Sequence, residues 1–286
     1  MSTLENTPYL PLMDFERAKA ALAGLRFADL RWVAATGSTN DDVRRWLTEG
    51  SAGPEPVVLV ADHQTQGRGR LDRSWQAPPG SSVLMTVGLP VSHVEPPRHP
   101  LIPIALALAV TDAFPQLALK WPNDLVVPVP ADELGYRKAG GLLAEALEVD
   151  GVPWLLVGLG LNVNWPSFPP ELEASATSLD RIVGRPVDRA DLVVGTLTAF
   201  ATRWLPLLED PERVTELLGA YRARTTTLGA RVRVQLFDTQ IVGVATDLRD
   251  DGALVVTDDG GVEHAVTAGD VVHLRPVAGQ GSSTSS

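Results

Sequence analysis

The chain contains no cysteine. Disulfides, thiolate metal sites and thiol nucleophiles are therefore excluded, and a chain without disulfides suits a reducing cytoplasm. Basic residues are scarce: 24 Lys and Arg stand against 35 Asp and Glu, giving a formal net charge of -11 and a pI near 4.9. Proteins that live on nucleic acid need a basic face to neutralise phosphates, whereas the global field here repels DNA and RNA. Long apolar runs are also missing. The longest, Leu101 to Val110, is interrupted by Pro103 and is roughly half the ~20 residues of a membrane span, so it reads as a buried helix. Met1 to Asp14 has no basic stretch followed by an apolar run, so no signal peptide is visible. The expectation is a cytoplasmic protein with neither a membrane nor nucleic acid as partner. His63, His93, His99, His264 and His273 show no metal-ligand spacing, and no protein-bound structural metal is expected.

With 286 residues, 44% of them apolar, the chain can bury one large domain or a large and a small one. Met1 to Leu30 is mixed, partly helical in pattern, and too short for a helix-turn-helix module with its supporting helices. Thr36-Gly37-Ser38-Thr39-Asn40 leads into Asp41 to Leu47, where Val43, Trp46 and Leu47 fall at helical spacing. Ser38 or Thr39 can cap that helix, with Asp41 and Asp42 on its positive end. Val57 to Ala61, Ser82 to Leu89, Ala118 to Trp121, Leu125 to Val127, Gly141 to Val149 and Trp154 to Val163 read as strands separated by Pro, Gly and Asp. Several connections are too short for crossover helices, which predicts a mixed, largely antiparallel sheet. Leu101 to Phe114, Arg189 to Leu208 and Pro211 to Arg224 are predicted helices packed on it. From Gly229 to Arg275 short strands alternate with tight turns, the pattern of a small SH3-like β-barrel. The tail from Ala278 is rich in Gly, Ser and Thr and is expected to be disordered. The fold class is α/β of the α+β kind, divided into residues 1–228, 229–276 and 277–286.

Four segments carry chemistry. Gln64 to Trp75 sets Arg68, Arg70 and Arg73 beside Gly67 and Gly69 and ends in an aromatic. Glycine allows close backbone approach, guanidinium forks grip carboxylate and phosphate, and an indole can stack on a base. In an acidic protein that company points to an anionic, nucleotide-bearing ligand; a flexible surface loop would explain the glycines and arginines but not their neighbours. The segment lacks the third glycine of a dinucleotide fingerprint, and no phosphate-binding Gly-x-x-x-x-Gly-Lys-Ser/Thr loop occurs in the chain. Lys120-Trp121-Pro122-Asn123-Asp124 joins a cation, a carboxamide and a carboxylate, although alone it is an ordinary proline turn. Lys138-Ala139-Gly140-Gly141-Leu142-Leu143 places a lysine at the mouth of an apolar strand, which alone is a solvated strand end. In Val157 to Asn164, Gly158 and Gly160 alternate inside a strand, which suits a bare face for a flat ligand with Asn162 at its edge, or else a barrel corner or bulge.

Together and in this order, these segments resemble the biotin–protein ligase family. Ser38-Thr39-Asn40 is similar to its Ser-Thr-Asn motif, Gly67 to Trp75 to its Gly-Arg-Gly-Arg loop and Lys120 to Asp124 to its Lys-Trp-Pro-Asn-Asp motif. Lys138 to Leu143 is similar to its Lys-x-Ala-Gly-x-Leu motif, and Gly158 to Val163 to its Gly-x-Gly-x-Asn-Val strand. The resemblance spans about Thr36 to Arg275. It departs at Asp72, where glycine is usual, and at Gly140, where alanine is commoner. It implies a class II synthetase-like, biotin–lipoate ligase core followed by the small barrel, in a form lacking the family's N-terminal DNA-binding domain.

The resemblance also implies roles. Ser38, Thr39 and Gln64 would hydrogen-bond biotin's ureido ring, with Asn40, Gly67, Arg68, Gly69, Arg70, Lys138, Gly141, Leu143 and Gly158 completing the biotin site. Arg68 and Arg70 would screen the carboxylate and α-phosphate as these two anions meet, and Lys138 would stabilise charge developing at phosphorus; these three are the expected catalytic residues. Arg70, Arg73, Trp75, Asn123, Lys138 and Asn162 would bind ATP and the adenylate. Mg²⁺ would travel with ATP, with Asp124 either touching it or orienting Lys138. The Gly67 to Trp75 segment is expected to be disordered without ligand. The acceptor would be a biotin carboxyl carrier domain. Two rivals are a lipoate–protein ligase and a non-catalytic biotin-binding or carrier-docking protein; the latter has no need of Lys138.

Overall fold

The computed structural model describes residues 13–27, 29–71, 73–132, 134–236, 239–267 and 269–273, the side chain of Asp270 excepted. Residues 1–12, Asp72 and the tail lie outside the described residues, and so do the expectations attached to them.

A short helix, α1 (Phe15–Ala21), is capped by the Asp14 carboxylate and leads to β1 (Asp29–Val33), α2 (Thr39–Thr48) and β2 (Val57–Ala61). β1 and β2 pair in parallel, with α2 as the crossover between them. β1 was missed in the sequence because Asp29 and Arg31 break its apolar pattern and all five residues are half-buried at the sheet edge. β3 (Ser82–Pro90), β4 (Ala118–Lys120), β5 (Asp124–Pro128), β6 (Tyr136–Val149) and β7 (Val152–Asn162) complete a seven-stranded sheet in the order β1-β2-β3-β7-β6-β5-β4. Every pairing but the first is antiparallel, so the sheet is mixed as expected.

The two faces of this sheet are covered differently. α3 (Leu101–Ala113) is buried on nearly every side and packs with α5 (Arg189–Ala199) beneath the sheet. Its Pro103 sits in the first turn, where a missing N–H costs nothing. Leu155, Val157, Leu159 and Leu161 of β7 point into this core, each worth about 1.5–3 kcal/mol when fully buried. The opposite face meets α2 through Val43, Leu47, Val57, Leu59, Trp154 and Leu156. Gly158, Gly160 and Asn162 share the face of Trp154 and Leu156 by strand alternation.

One irregularity matters to the site. Leu125 lies opposite Gly140 but Val126 lies opposite Lys138, so Ala139 is the extra residue of a β-bulge. Ala139 is buried in the helix-side core, while Lys138 is delivered to the α2 side, where its Nζ is 3.3 Å from where a Cβ on Gly141 would be. β6 also starts earlier than its apolar pattern suggested, at Tyr136.

The remaining helices are α4 (Leu179–Val183), α6 (Leu205–Glu209) and α7 (Val214–Arg224). The predicted helix from Arg189 to Leu208 is divided by a π-helical turn, Phe200–Trp204. Pro206 follows at the start of α6 and has no N–H for the α-helical ladder, which favours the slip in register. Beyond α7, β8 (Arg231–Gln235), β9 (Gln240–Leu248), β10 (Leu254–Asp258), β11 (Glu263–Val266) and β12 (Asp270–His273) form an antiparallel sheet ordered β11-β10-β9-β8-β12. A four-strand meander with the fifth strand returning beside the first is the strand order of an SH3-like fold. Val232, Val234, Leu254 and Val256 join the main core, and Trp121 ties the two sheets by donating its indole N–H to the Gly252 carbonyl at 3.0 Å.

Candidate functional site

On the α2 face of the large sheet lies a cavity of about 470 Å³. Ser38, Thr39, Asn40, Gln64, Arg68, Gly69, Arg70, Arg73, Trp75, Asn123, Asp124, Lys138, Gly141, Leu143, Gly158 and Asn162 all line it. Gly67 is the one proposed site residue outside the lining. It closes the base of the arginine segment instead: Trp75 N–H donates to its carbonyl at 2.8 Å, and a Cβ there would stand 2.3 Å from the Trp75 carbonyl oxygen.

The floor comes from Gly158, Gly160 and Gly141, the last two opposite each other across β6 and β7. A Cβ on Gly158 would meet Asn40 Oδ1 at 2.6 Å, and one on Gly160 would meet the Trp75 indole at 2.6 Å. The bare strand face anticipated for a flat ligand is thus occupied by two of the protein's own side chains.

At one end the groups are neutral. Ser38 begins α2, but its hydroxyl makes no capping hydrogen bond and borders the cavity. The Thr39 backbone N–H and hydroxyl both donate to Gln64 Oε1, at 2.7 and 2.9 Å. The buried Thr86 hydroxyl lies between Thr39 Oγ1, 2.8 Å away, and Asn40 Oδ1, 2.6 Å away. Asn40 Nδ2 in turn donates to Glu145 Oε2 at 2.6 Å.

At the other end the groups are charged. Lys138 Nζ stands 2.5 Å from Asp124 Oδ1, and the buried Lys120 Nζ 3.3 Å from Asp124 Oδ2. Burial alone would raise the Asp124 pKa, but the two ammonium groups outweigh it and hold the carboxyl below the ordinary carboxylate range. Both Asp124 oxygens are therefore engaged, and among the described residues no group of three His, Asp or Glu could hold a metal ion. The arrangement suits orientation of Lys138 by Asp124. Asn123 exchanges hydrogen bonds with the Leu142 backbone at 2.6 and 2.9 Å and accepts one from Arg70 Nη1 at 3.3 Å. Asn162 Oδ1 and Trp75 Nε1 are buried here without a hydrogen-bond partner among the described residues. Such atoms are costly unless something else satisfies them.

The arginine segment forms a narrow hairpin on either side of residue 72, with Arg68 bridged to Ser74 and Gly69 N–H donating to Arg73 O at 2.6 Å. Arg68 and Arg70 turn to different partners. Arg70 points to Asn123, the exposed Arg73 borders the cavity, and Arg68 pairs with Glu145 and Asp41. β12 closes one side through Gly269, Val271 and Val272, and its His273 ring meets Tyr136 edge-on at 5.2 Å.

Residues 37–164 match the family described as Biotin/lipoate A/B protein ligase, and residues 227–274 match Biotin protein ligase C terminal domain. The chain is 38% identical over 263 residues to a biotin–[acetyl-CoA-carboxylase] ligase of Mycobacterium tuberculosis, covering 88% of this chain and 92% of that protein. The chain belongs to the biotin–protein ligase family. It is also 29% identical over 223 residues to a bifunctional ligase/repressor of Bacillus subtilis, covering 75% of this chain and 66% of that one. Among solved structures, the biotin protein ligase from Aquifex aeolicus in complex with biotin and ATP superposes with a TM-score of 0.71 at 27% identity, covering 87% of this chain and 100% of that one.

Several residues of the site escaped the motif reading. Lys120 stood inside a recognised motif without a role of its own. Glu145 continues the spacing of Gly141 and Leu143 by twos, which was the available signal for it. Thr86 was signalled only as a polar residue in an otherwise apolar strand, and Asp41 only as helix charge. Tyr136 and His273 had no local signal, because their meeting depends on how the second sheet docks.

Proposed function

We propose that the chain converts biotin and ATP to biotinyl-5′-AMP and pyrophosphate, then transfers the biotinyl group to a lysine of a biotin carboxyl carrier domain. One observation carries this reading: a single cavity joins a neutral, hydrogen-bonding end to a cationic end built on Lys138, Asp124 and Lys120. A ureido ring offers two N–H donors and one carbonyl, which the hydroxyls of Ser38 and Thr39 and the Gln64 carboxamide can match. Lipoate's dithiolane offers no comparable groups and would leave buried polar atoms unpaired.

In the first step a biotin carboxylate oxygen bonds to the α-phosphorus as the bond to pyrophosphate breaks. Two anions must meet, so Arg70 and Lys138 screen them and Lys138 stabilises the charge that grows on the phosphoryl oxygens. Asp124 holds the Lys138 ammonium in place. Asn123 fixes Arg70, Arg73 helps to place the triphosphate, and Asn162 Oδ1 and Trp75 offer an acceptor and an indole to the nucleotide. Mg²⁺ enters as part of the MgATP substrate. In the second step the carrier lysine's amine attacks the acyl carbon and AMP leaves. The anhydride hydrolyses readily, so residues 67–75 act as a cover that orders on binding. We assign these steps to residues 1–228, with residues 229–276 as a second unit whose β12 edge walls the site, and the reaction to the cytoplasm.

The test is ATP–pyrophosphate exchange with biotin or lipoate as the acid, with mass spectrometry for the adenylate. Biotin-dependent exchange is expected; exchange supported by lipoate alone would overturn the assignment.

A further inference from the structure

The Arg68 side chain is far from where Lys138 works. Its Nη1 and Nη2 each lie 3.0 Å from an oxygen of Glu145, in a two-pronged contact, and Nη2 is 2.6 Å from Asp41 Oδ1. Glu145 lies opposite Leu156 in the sheet, whereas Gly141, whose side Lys138 Nζ occupies, lies opposite Gly160. Four residues along a strand are about 13 Å. A guanidinium held on Glu145 is therefore set apart along the sheet from the carboxylate that holds Lys138.

The local charges are already balanced. Arg68 and Arg44 face Glu145 and Asp41, with Arg44 Nη2 3.3 Å from Glu145. The same Glu145 carboxylate accepts from Asn40, whose carboxamide fills the space that Gly158 leaves open. One carboxylate thus ties the arginine hairpin to β6 and to the first turn of α2, beside Thr39 and Gln64.

We infer that Glu145, assisted by Asp41, is a positioning residue that fixes the root of the arginine hairpin and the Asn40 carboxamide, and that Arg68 is the hairpin's anchor rather than a clamp on the substrate's anions. Fixing the root holds one wall of the acid end in register with Thr39 and Gln64, while the rest of the hairpin stays free to order over the nucleotide. This inference rests on the ligase reading, which exchange activity of the unaltered protein tests separately.

Two variants test it by steady-state pyrophosphate exchange, with biotin and ATP varied in turn. Glu145→Gln keeps the shape and the acceptor for Asn40 but removes the charge that holds Arg68. The KM for biotin should rise about tenfold, the effect of losing one charge-assisted contact, with kcat and the ATP KM changed by less than about threefold. Arg68→Gln should raise the biotin KM to a similar extent, and the double variant Arg68→Gln with Glu145→Gln should be little worse than either alone, because both changes remove the same contact. If Arg68 instead clamps the reacting anions, Arg68→Gln lowers kcat steeply while Glu145→Gln does not, and Glu145→Gln binds biotin as well as or better than the unaltered protein because a competing carboxylate is gone. Either result overturns the inference.

Discussion

At the acid end of the cavity, Thr39, Gln64, Thr86 and Asn40 form a neutral network buried at the start of α2 and on β3. At the anion end, Lys138 and Lys120 share one carboxylate, and Asn162 and Trp75 present polar atoms with no partner among the described residues. The four residues named at the acid end already bond to one another, whereas two buried atoms at the anion end are left for a ligand to satisfy. Selectivity suits the first arrangement, since a wrong ligand would break bonds that already exist. Catalysis suits the second, because groups poised for charge that develops during reaction favour the transition state over the ground state.

The largest effect should come from breaking the anion end. Lys138→Ala is expected to lower kcat for adenylate formation by about 10²–10³-fold, the scale of losing one preorganised charge-stabilising group, while biotin binding measured by calorimetry is only weakened. Retained exchange activity would remove Lys138 from its assigned role. Next is Asp124→Asn, which leaves two ammonium groups facing each other without the carboxylate between them. Since Lys120 is buried, a loss of about 3 kcal/mol in unfolding free energy is expected from chemical denaturation. An unchanged denaturation midpoint would show that Asp124 does not hold the pair.

Thr39→Val probes the acid end and should behave in the opposite way. It keeps the shape but removes the hydroxyl that Gln64 and Thr86 share, so the biotin KM should rise about tenfold with kcat little altered. A fall in kcat with an unchanged biotin KM would erase the distinction between the two ends. The smallest effect concerns His273. Burial, reinforced by Lys120 and opposed by Asp124, pushes its pKa down from 6.5 to about 4. The unfolded chain then binds the proton first, so this group withdraws stability as pH falls from about 6.5 to 4 and has no effect above that range. His273→Phe should flatten that part of the stability–pH curve, which denaturation at several pH values can measure.

Much of the anion end was visible in the sequence because its residues lie in short contiguous motifs: Asn123 with Asp124, and Lys138 with Gly141. Contiguity reveals chemistry that a single turn or strand can present. The acid end was visible only in part. Ser38, Thr39 and Gln64 came through resemblance, whereas Thr86 and Glu145 join them through strand register, which no local pattern fixes. Arg68 shows the limit of the motif view, since three arginines in six residues suggested one shared target, yet Arg68 pairs with Glu145 and Asp41 while Arg70 reaches Asn123. The fold followed the same division. Strands with continuous apolar character, such as β2 and β3, were legible, while the half-buried edge strand β1 and the π turn ahead of Pro206 depended on long-range packing.

Ala139 has a consequence beyond its own burial. Lys138 and Gly141 are separated by an odd number of steps, and on a regular strand they would face opposite sides of the sheet. They cooperate because one residue between them is not counted by the partner strand. If every residue of this stretch were paired, the odd spacing would turn the lysine away from the cavity without altering any side chain that touches a substrate, whereas deleting Ala139 would make the spacing even and keep the lysine facing it. In this part of the molecule, the spacing between two motif residues is as much a functional element as the residues themselves.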